Sequence, residues 1–392
     1  LHSLVSSMDY AFATRPKKQG PRMAGAFTFG MEEEYFLVDA ETKVVARDVP
    51  AEFFDEAKKA SEGRISTEFL QPQIEVISSP HVNMADARAE LRMLRRTVSN
   101  VAARYGLAIL AAGTHPTALW REALQTDKQR YDTVMDDLQM IGQRDLLCGL
   151  HVHVELPDPN LRIDVMYRIL PFLPLLLALS TSSPFWQARR TGLKGYRLAA
   201  YDELPRTGVP ELFRTQQEFD AYIAALVRAG VIKDSSYVWW AIRPSLNNPT
   251  LELRAPDSCT LVEDSLAIAA LYRTLVRHLH VNRSRNRDID AVGRAIVIEN
   301  KWRAQRYGVH GTFVTEDGAV TVADMLEQVI SDTAPDAAAL GCTAEINRCR
   351  AIVGAGTSSD AQLAVFDAHA KIGSRDAALR AVTEWIAAAT LQ

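Results

Sequence analysis

Three short stretches carry ionisable side chains at a spacing of two: GMEEEY (30–35), GLHVHVEL (149–156) and TLELRAPD (250–257). Along a β-strand successive side chains alternate between faces, so Glu32 and Glu34 present two carboxylates on one side while Glu33 points to the other. By the same rule His151, His153 and Glu155 share a face, Leu150, Val152 and Val154 form the apolar side, and Glu252 lies with Arg254. Clustered carboxylates are costly to bury unless a cation neutralises them, and oxygen-rich sites with several glutamates suit Mg²⁺ or Mn²⁺. An antiparallel sheet with one solvated face would give the same alternation as plain polar-out patterning. Three strands that share the pattern, flanked by uncharged runs such as FTFG, LLCGL and VWWAIRP, favour a metal cluster. His-x-His alone also suits zinc, but no H-E-x-x-H accompanies it. His115, His278 and His310 read as structural histidines.

Arginines, whose planar forks fit phosphate and carboxylate oxygens, are the second signal. Arg189, Arg197 and Arg206 fall in a long Gly-, Pro- and Arg-rich segment, SSPFWQARRTGLKGYRLAAYDELPRTGVPELF (182–213), too long for a simple connection and therefore a functional loop region. For each of these, a solvated surface role fits as well as a ligand role. Arg243 and Arg254 stand on the strands that follow. No G-x-x-x-x-G-K-[ST] cradle occurs, GAGTSS (354–359) is too short to count, and neither a G-x-S-x-G elbow nor a Cys/His signature is present. Metal, phosphate-binding arginines and no protein nucleophile fit phosphoryl transfer, in which positioning and charge neutralisation supply most of the catalysis.

The elements that must hold these residues follow from pattern and punctuation. Residues 1 to about 25, interrupted by Pro16, Lys17, Lys18, Gly20 and Pro21, read as a flexible polar tail with no apolar targeting segment. A strand is expected over 27–39, an extended pair broken at Pro72 over 66–80, a helix over 83–105 and a strand from 106. A helix over 131–144, the 149–156 strand, a buried helix over 169–179 and a helix over 217–229 come next, then strands over 237–245 and 250–257. From 261 onward the chain reads as helical, with loops at 307–318 and 354–359. Strands and helices do not alternate in βαβ order, so the class is α+β with a mostly antiparallel sheet, as one catalytic domain over 26–392 whose part from about 261 is helical.

In a chain of 392 residues, 47% hydrophobic and 23% charged residues can bury a substantial core, and a net charge of -4 with interspersed signs offers no basic field for nucleic acid or anionic lipid. The apolar run 169–179 is too short for a bilayer, which needs roughly 20 residues, and contains Pro171 and Pro174. Four scattered cysteines without a C-x-x-C pair read as buried thiols of a reducing, cytoplasmic compartment.

Taken together, FGMEEEYFLVD, GLHVHVEL, SSPFWQARRTGLKGYR, LPRTGVP, IRPSLNNPTLELRAPD and ENKWRAQRYG resemble the type 2 glutamate-cysteine ligase family, the YbdK-like carboxylate-amine ligases. That resemblance implies the glutamine synthetase-like fold, a curved, mainly antiparallel sheet flanked by helices that binds ATP and Mg²⁺ or Mn²⁺. It makes Glu32, Glu34 and Glu252 metal ligands, turns Arg254 toward phosphate, and sets His151 or His153 at the metal or the nucleotide. Glu75, with Glu68 nearby, would bind metal or the incoming amine, and Arg197 and Arg243 would meet the substrate carboxylate or acyl phosphate. The implied reaction has two steps: a carboxylate takes the γ-phosphoryl group of ATP, then an amine displaces phosphate, giving γ-glutamylcysteine from glutamate and cysteine. The implied partners are small molecules, with no nucleic acid or membrane, in a homodimer. SLNNP (245–249) and KGYR (194–197) depart from the family's pattern where substrates should touch the protein. A zinc hydrolase, a guanidino phosphotransferase of related fold and a non-catalytic binding protein are the competing readings, separable by metal content, by product and by loss of the acidic ligands.

Overall fold

A computed structural model describes residues 27–126 and 129–392, so the expected tail lies outside the described residues. Along the chain come β1 (Phe29–Asp39), β2 (Ile65–Thr67), β3 (Gln73–Ile77), β4 (Leu107–Leu110) and β5 (Leu150–Glu155). A two-residue ribbon follows, β6 (Phe185–Trp186) with β7 (Arg189–Arg190), then β8 (Ile242–Pro244), β9 (Thr250–Leu253) and the hairpin of β10 (Thr312–Thr315) and β11 (Gly318–Thr321). The main sheet runs β2-β3-β1-β5-β9-β8, with β4 also paired to β1, and all of its pairs are antiparallel. Hydrogen-bonded on both edges, β1 is buried from Phe29 to Val38. Both faces of the sheet are therefore covered, which rules out polar-out patterning as the reason for its alternating charges.

The register sets the functional row. Glu34 lies opposite Glu75 on β3, Glu32 opposite His151 on β5, His153 opposite Glu252 on β9, and Arg243 opposite Glu252. Directly opposed residues of a pleated sheet share a face, so these groups converge on one side. The other side carries Leu150, Val152, Val154, Leu251 and Leu253 into the core, where the helices Met84–Arg104 and Val262–Val281 pack.

Glu33 points into that apolar side, as the alternation predicts, and its charge is fully compensated. Arg95 donates to both carboxylate oxygens (2.9 and 2.7 Å), and Tyr35 and Ser265 donate as well. Arg95 spends its remaining donors on the carbonyls of Cys259, Thr260 and Thr390 (2.8, 2.8 and 3.0 Å), tying the sheet to the C-terminal helix Arg375–Thr390. Charged groups taken out of water persist when every donor and acceptor is met in this way.

Four expectations change. The strand over 237–245 shrinks to β8, because Arg243 Nη1 pulls in the carbonyls of Ser236 and Val238 and the preceding residues curl into a 3₁₀ turn. The helix over 131–144 breaks at Gln139, whose φ is 50°, into Gln129–Leu138 and Met140–Gln143. The loop over 307–318 instead contains most of the β10–β11 hairpin. Finally, the run around 169–179 belongs to a helical stretch Pro159–Ser180, long and apolar enough to cross a membrane by length and composition. Its prolines sit in the first turns of the pieces Leu170–Phe172 and Leu173–Ser180, where no intrahelical N–H is lost. Burial of 89% of its apolar window marks it as a core helix, a stronger ground than its length. All four cysteines are buried and free, as expected.

Candidate active site

On the functional face, backbone and side chains interlock around β1. Glu34 Oε2 accepts from the Gly149 amide (2.5 Å), and Glu32 lies 3.3 Å from both His151 Nδ1 and His153 Nε2. His151 Nε2 is 3.6 Å from Glu34, and His153 Nδ1 meets the Thr250 hydroxyl at 2.9 Å. Glu252 is gripped by Arg243 (Nε to Oε2, 2.7 Å) and by Arg254, whose Nη2 also reaches the Tyr201 hydroxyl at 3.4 Å. Glu155, at the end of β5, accepts instead from Thr28 (2.5 Å) and stands apart.

Three ligand trios result: Glu32, His153 and Glu252; Glu32, Glu75 and His151; Glu34, Glu68 and Glu75. Within each, the donor atoms lie within 4.8 Å of one another. Glu75 belongs to two of them. Burial, then the charges of Glu32, Glu68 and Glu34, push its carboxyl well above the ordinary range. Burial also works against ionised Glu32, but His153 and His151 outweigh it and hold its pKa near about 2. Glu252 falls well below the ordinary range because Arg243 and Arg254 outweigh its burial. Burial and Arg254 lower His151, whereas Glu32 and Glu252 raise His153 against its burial. Crowded carboxylates beside two imidazoles, most of them oxygen donors, are the donor set of hard divalent cations. The residues present fit such a metal.

Two cavities meet at Arg254. The smaller, about 460 Å³ of empty space partly open to solvent, is polar and bounded by Glu32, Glu75, His151, Arg243, Ser245 and Glu252. The larger, about 770 Å³, has Glu34, Glu68, Asp145 and Arg197 at its charged end and a largely apolar remainder. Burial and Glu34 raise the Asp145 pKa to about 7 despite Arg197 and Arg254.

Arg197, from the helix Tyr196–Tyr201, lies against Gly149 and donates to the carbonyls of Arg254 (3.2 Å) and Pro256 (3.1 Å). It therefore borders the larger cavity, while Arg243 borders the smaller. Arg189 is exposed, and Arg206 bonds the Tyr237 carbonyl (2.8 Å) beneath Trp239, so neither touches the carboxylates. His115 accepts from the amides of Thr117 and Ala118, and burial lowers its pKa to about 4; it is structural, as expected. His278 pairs with Asp336 and His310 with Asp360, also away from the site. Asp145, Tyr201 and Trp239 were not among the expected site residues. They come from loops and a short helix where no periodicity marks a face.

Solved structures define the class. The chain superposes on a bifunctional glutathione synthetase from Pasteurella multocida with a TM-score of 0.70 at 13% identity, covering 93% of this chain and about half (52%) of that one. It superposes on the glutamate–cysteine ligase of Francisella tularensis, solved in complex with AMP, with a TM-score of 0.67 at 13% identity, covering 93% and 89%. The fold is thus α+β and glutamine synthetase-like.

Sequence comparison narrows the class. The profile of glutamate-cysteine ligase family 2 (GCS2) matches residues 28–383. A provisionally named glutamate–cysteine ligase 2 of Bradyrhizobium sp. (strain ORS 278) is 56% identical over 93% of this chain and 88% of its own length. Another of that name, from Rhodospirillum rubrum, is 44% identical over 93% and 96%. The chain belongs to glutamate-cysteine ligase family 2, and it is an ATP-dependent carboxylate–amine ligase acting on small molecules.

Proposed function

We propose that this enzyme activates the γ-carboxylate of L-glutamate as an acyl phosphate and transfers the acyl group to an amine. With L-cysteine, the acceptor in its relatives' name, the product is γ-glutamylcysteine. One observation carries the reading: buried carboxylates from β1, β3 and β9 converge beneath Arg254, the cation shared by a polar cavity and a larger, partly apolar one. Divalent cations, Mg²⁺ or Mn²⁺, held by Glu32, Glu34, Glu75, Glu252 and His151, with Glu68 and His153 beside them, would supply charge neutralisation at the phosphate oxygens.

In this reading ATP phosphates occupy the polar cavity and the acid and amine the larger one. The acid's carboxylate oxygen attacks the γ-phosphorus, the bond to the bridging oxygen breaks, and ADP leaves with that electron pair. Arg254, at the junction, stabilises charge on the transferring phosphoryl group, and Arg243 holds Glu252 in place. Arg197 orients the acid from the far side. The amine nitrogen then attacks the acyl carbon and phosphate departs. No protein nucleophile is required, and residues 26–392 act as one catalytic domain.

The test is phosphate release from Mg-ATP with L-glutamate, with and without amines, in wild type and Glu32→Gln. Amine-dependent release of free phosphate that the substitution abolishes supports the ligase. A phosphorylated substrate that accumulates instead would point to a phosphotransferase.

A further inference from the structure

We propose that the preferred acceptor of this enzyme is a primary amine bearing an apolar body larger than the side chain of L-cysteine, better matched to the larger cavity. The proposal rests on the ligase reading and names the amine for the same site.

The cavity has two contrasting halves. Glu34, Glu68 and Asp145 stand at one end with Arg197 and Arg254. Phe69, Val134, Leu138, Leu147, Leu204 and Trp239 form most of the remaining wall, with Gln73 and Tyr201 the polar side chains among them. Asp145, the acidic residue of that end outside the three ligand trios, is left to draw the ammonium, and the apolar wall then meets whatever the amine carries, at about 25 cal/mol for each Å² removed from water. Both guanidiniums hold partners already, and each keeps one buried Nε without a hydrogen-bond partner. Arg254 pairs with Glu252 at the phosphate side, and Arg197 gives Nη1 to two main-chain carbonyls while its buried Nε faces no hydrogen-bond acceptor. That Nε suits the α-carboxylate of the activated acid. A branched or aromatic body covers more of that apolar wall than the side chain of L-cysteine does.

The step balances without any further reactant. The new C–N bond forms as the acyl C–O bond breaks, the electron pair leaving with phosphate. Of the two protons the ammonium nitrogen sheds, one ends on hydrogen phosphate and the other goes to solvent.

The experiment measures kcat/KM for isopentylamine, 2-phenylethylamine and L-cysteine with Mg-ATP and L-glutamate, and uses hydroxylamine as a small trap for the acyl phosphate. The expected result is at least tenfold higher kcat/KM for an apolar amine than for L-cysteine. Leu138→Asn and Val134→Asn should each lower the ratio of kcat/KM for the apolar amine to kcat/KM for hydroxylamine at least fivefold. Hydroxamate formation with L-cysteine as the better acceptor, or with the apolar amines inert, would overturn the acceptor proposal and leave the ligase standing. If neither hydroxamate nor acid-dependent ADP appears, the ligase reading falls and the acceptor proposal with it.

Discussion

Adding one methyl group at Gly149 should disable catalysis without unfolding the protein. A Cβ built there lies 2.2 Å from Arg197 Nη2, 2.6 Å from Cζ and 3.2 Å from Nε, so the guanidinium cannot keep its position. Gly149 has no positive φ, and alanine is otherwise welcome: it reduces the entropy of the unfolded chain by about 0.4–1 kcal/mol. The strand cannot yield instead, because the Gly149 amide bonds Glu34 Oε2 and the Gly149 carbonyl accepts from the Glu34 amide (3.1 Å). Arg197 must therefore swing away and abandon the carbonyls of Arg254 and Pro256. Loss of a charged hydrogen bond that orients the acid costs about 1.5–3 kcal/mol, or ~10–10² in kcat/KM. Phosphate release from Mg-ATP with L-glutamate and an amine should fall by that factor in Gly149→Ala, with Mn²⁺ affinity within twofold and a melting temperature within a few degrees of wild type. In a double-mutant cycle, Arg197→Ala should gain almost nothing from the added Gly149→Ala, since both remove the same interaction. Activity within threefold of wild type in folded Gly149→Ala, or full additivity in the cycle, would refute the reasoning.

Other consequences follow from the same geometry. Glu75→Gln removes the carboxylate shared by two ligand trios, so Mn²⁺ affinity measured from the free-ion paramagnetic signal should drop at least tenfold, about 1.4 kcal/mol; unchanged affinity would take Glu75 out of the metal site. Glu33→Gln leaves the buried Arg95 charge uncompensated and should cost about 3–5 kcal/mol in urea unfolding, a midpoint shift that an unaltered midpoint would contradict. His115 is held at about 4, below its ordinary 6.5, so the unfolded chain takes up its proton first. Its contribution is complete above about pH 6.5 and is lost as pH falls toward 4, by up to about 3 kcal/mol. In unfolding measurements from pH 7.5 to 4.5, His115→Gln should flatten that slope, and a variant as steep as wild type would exclude His115 as its source.

How much was legible in the sequence follows from the range over which each constraint acts. Alternation along a strand is local geometry, so the shared faces of Glu32 with Glu34 and of His151 with His153 could be read from spacing alone. Which strands lie side by side is not local, and only the register brings Glu75 opposite Glu34 and Glu252 opposite His153. Arg95 shows a cue that spacing did contain. It sits between Leu91 and Val98 on the buried stripe of its helix, and a guanidinium in an apolar stripe requires a buried acceptor. Glu33, the buried carboxylate on the apolar side of β1, is the group that needs a buried cation, so each defect in pattern explains the other. The larger cavity has no comparable cue. Phe69, Val134, Leu204 and Trp239 come from four separate segments, and their hydrophobicity is that of ordinary core residues until the fold leaves space between them. The chemistry of the sheet is thus written at short range, while the choice of acceptor depends on side chains that meet only through packing, where relatives with the same motifs can diverge.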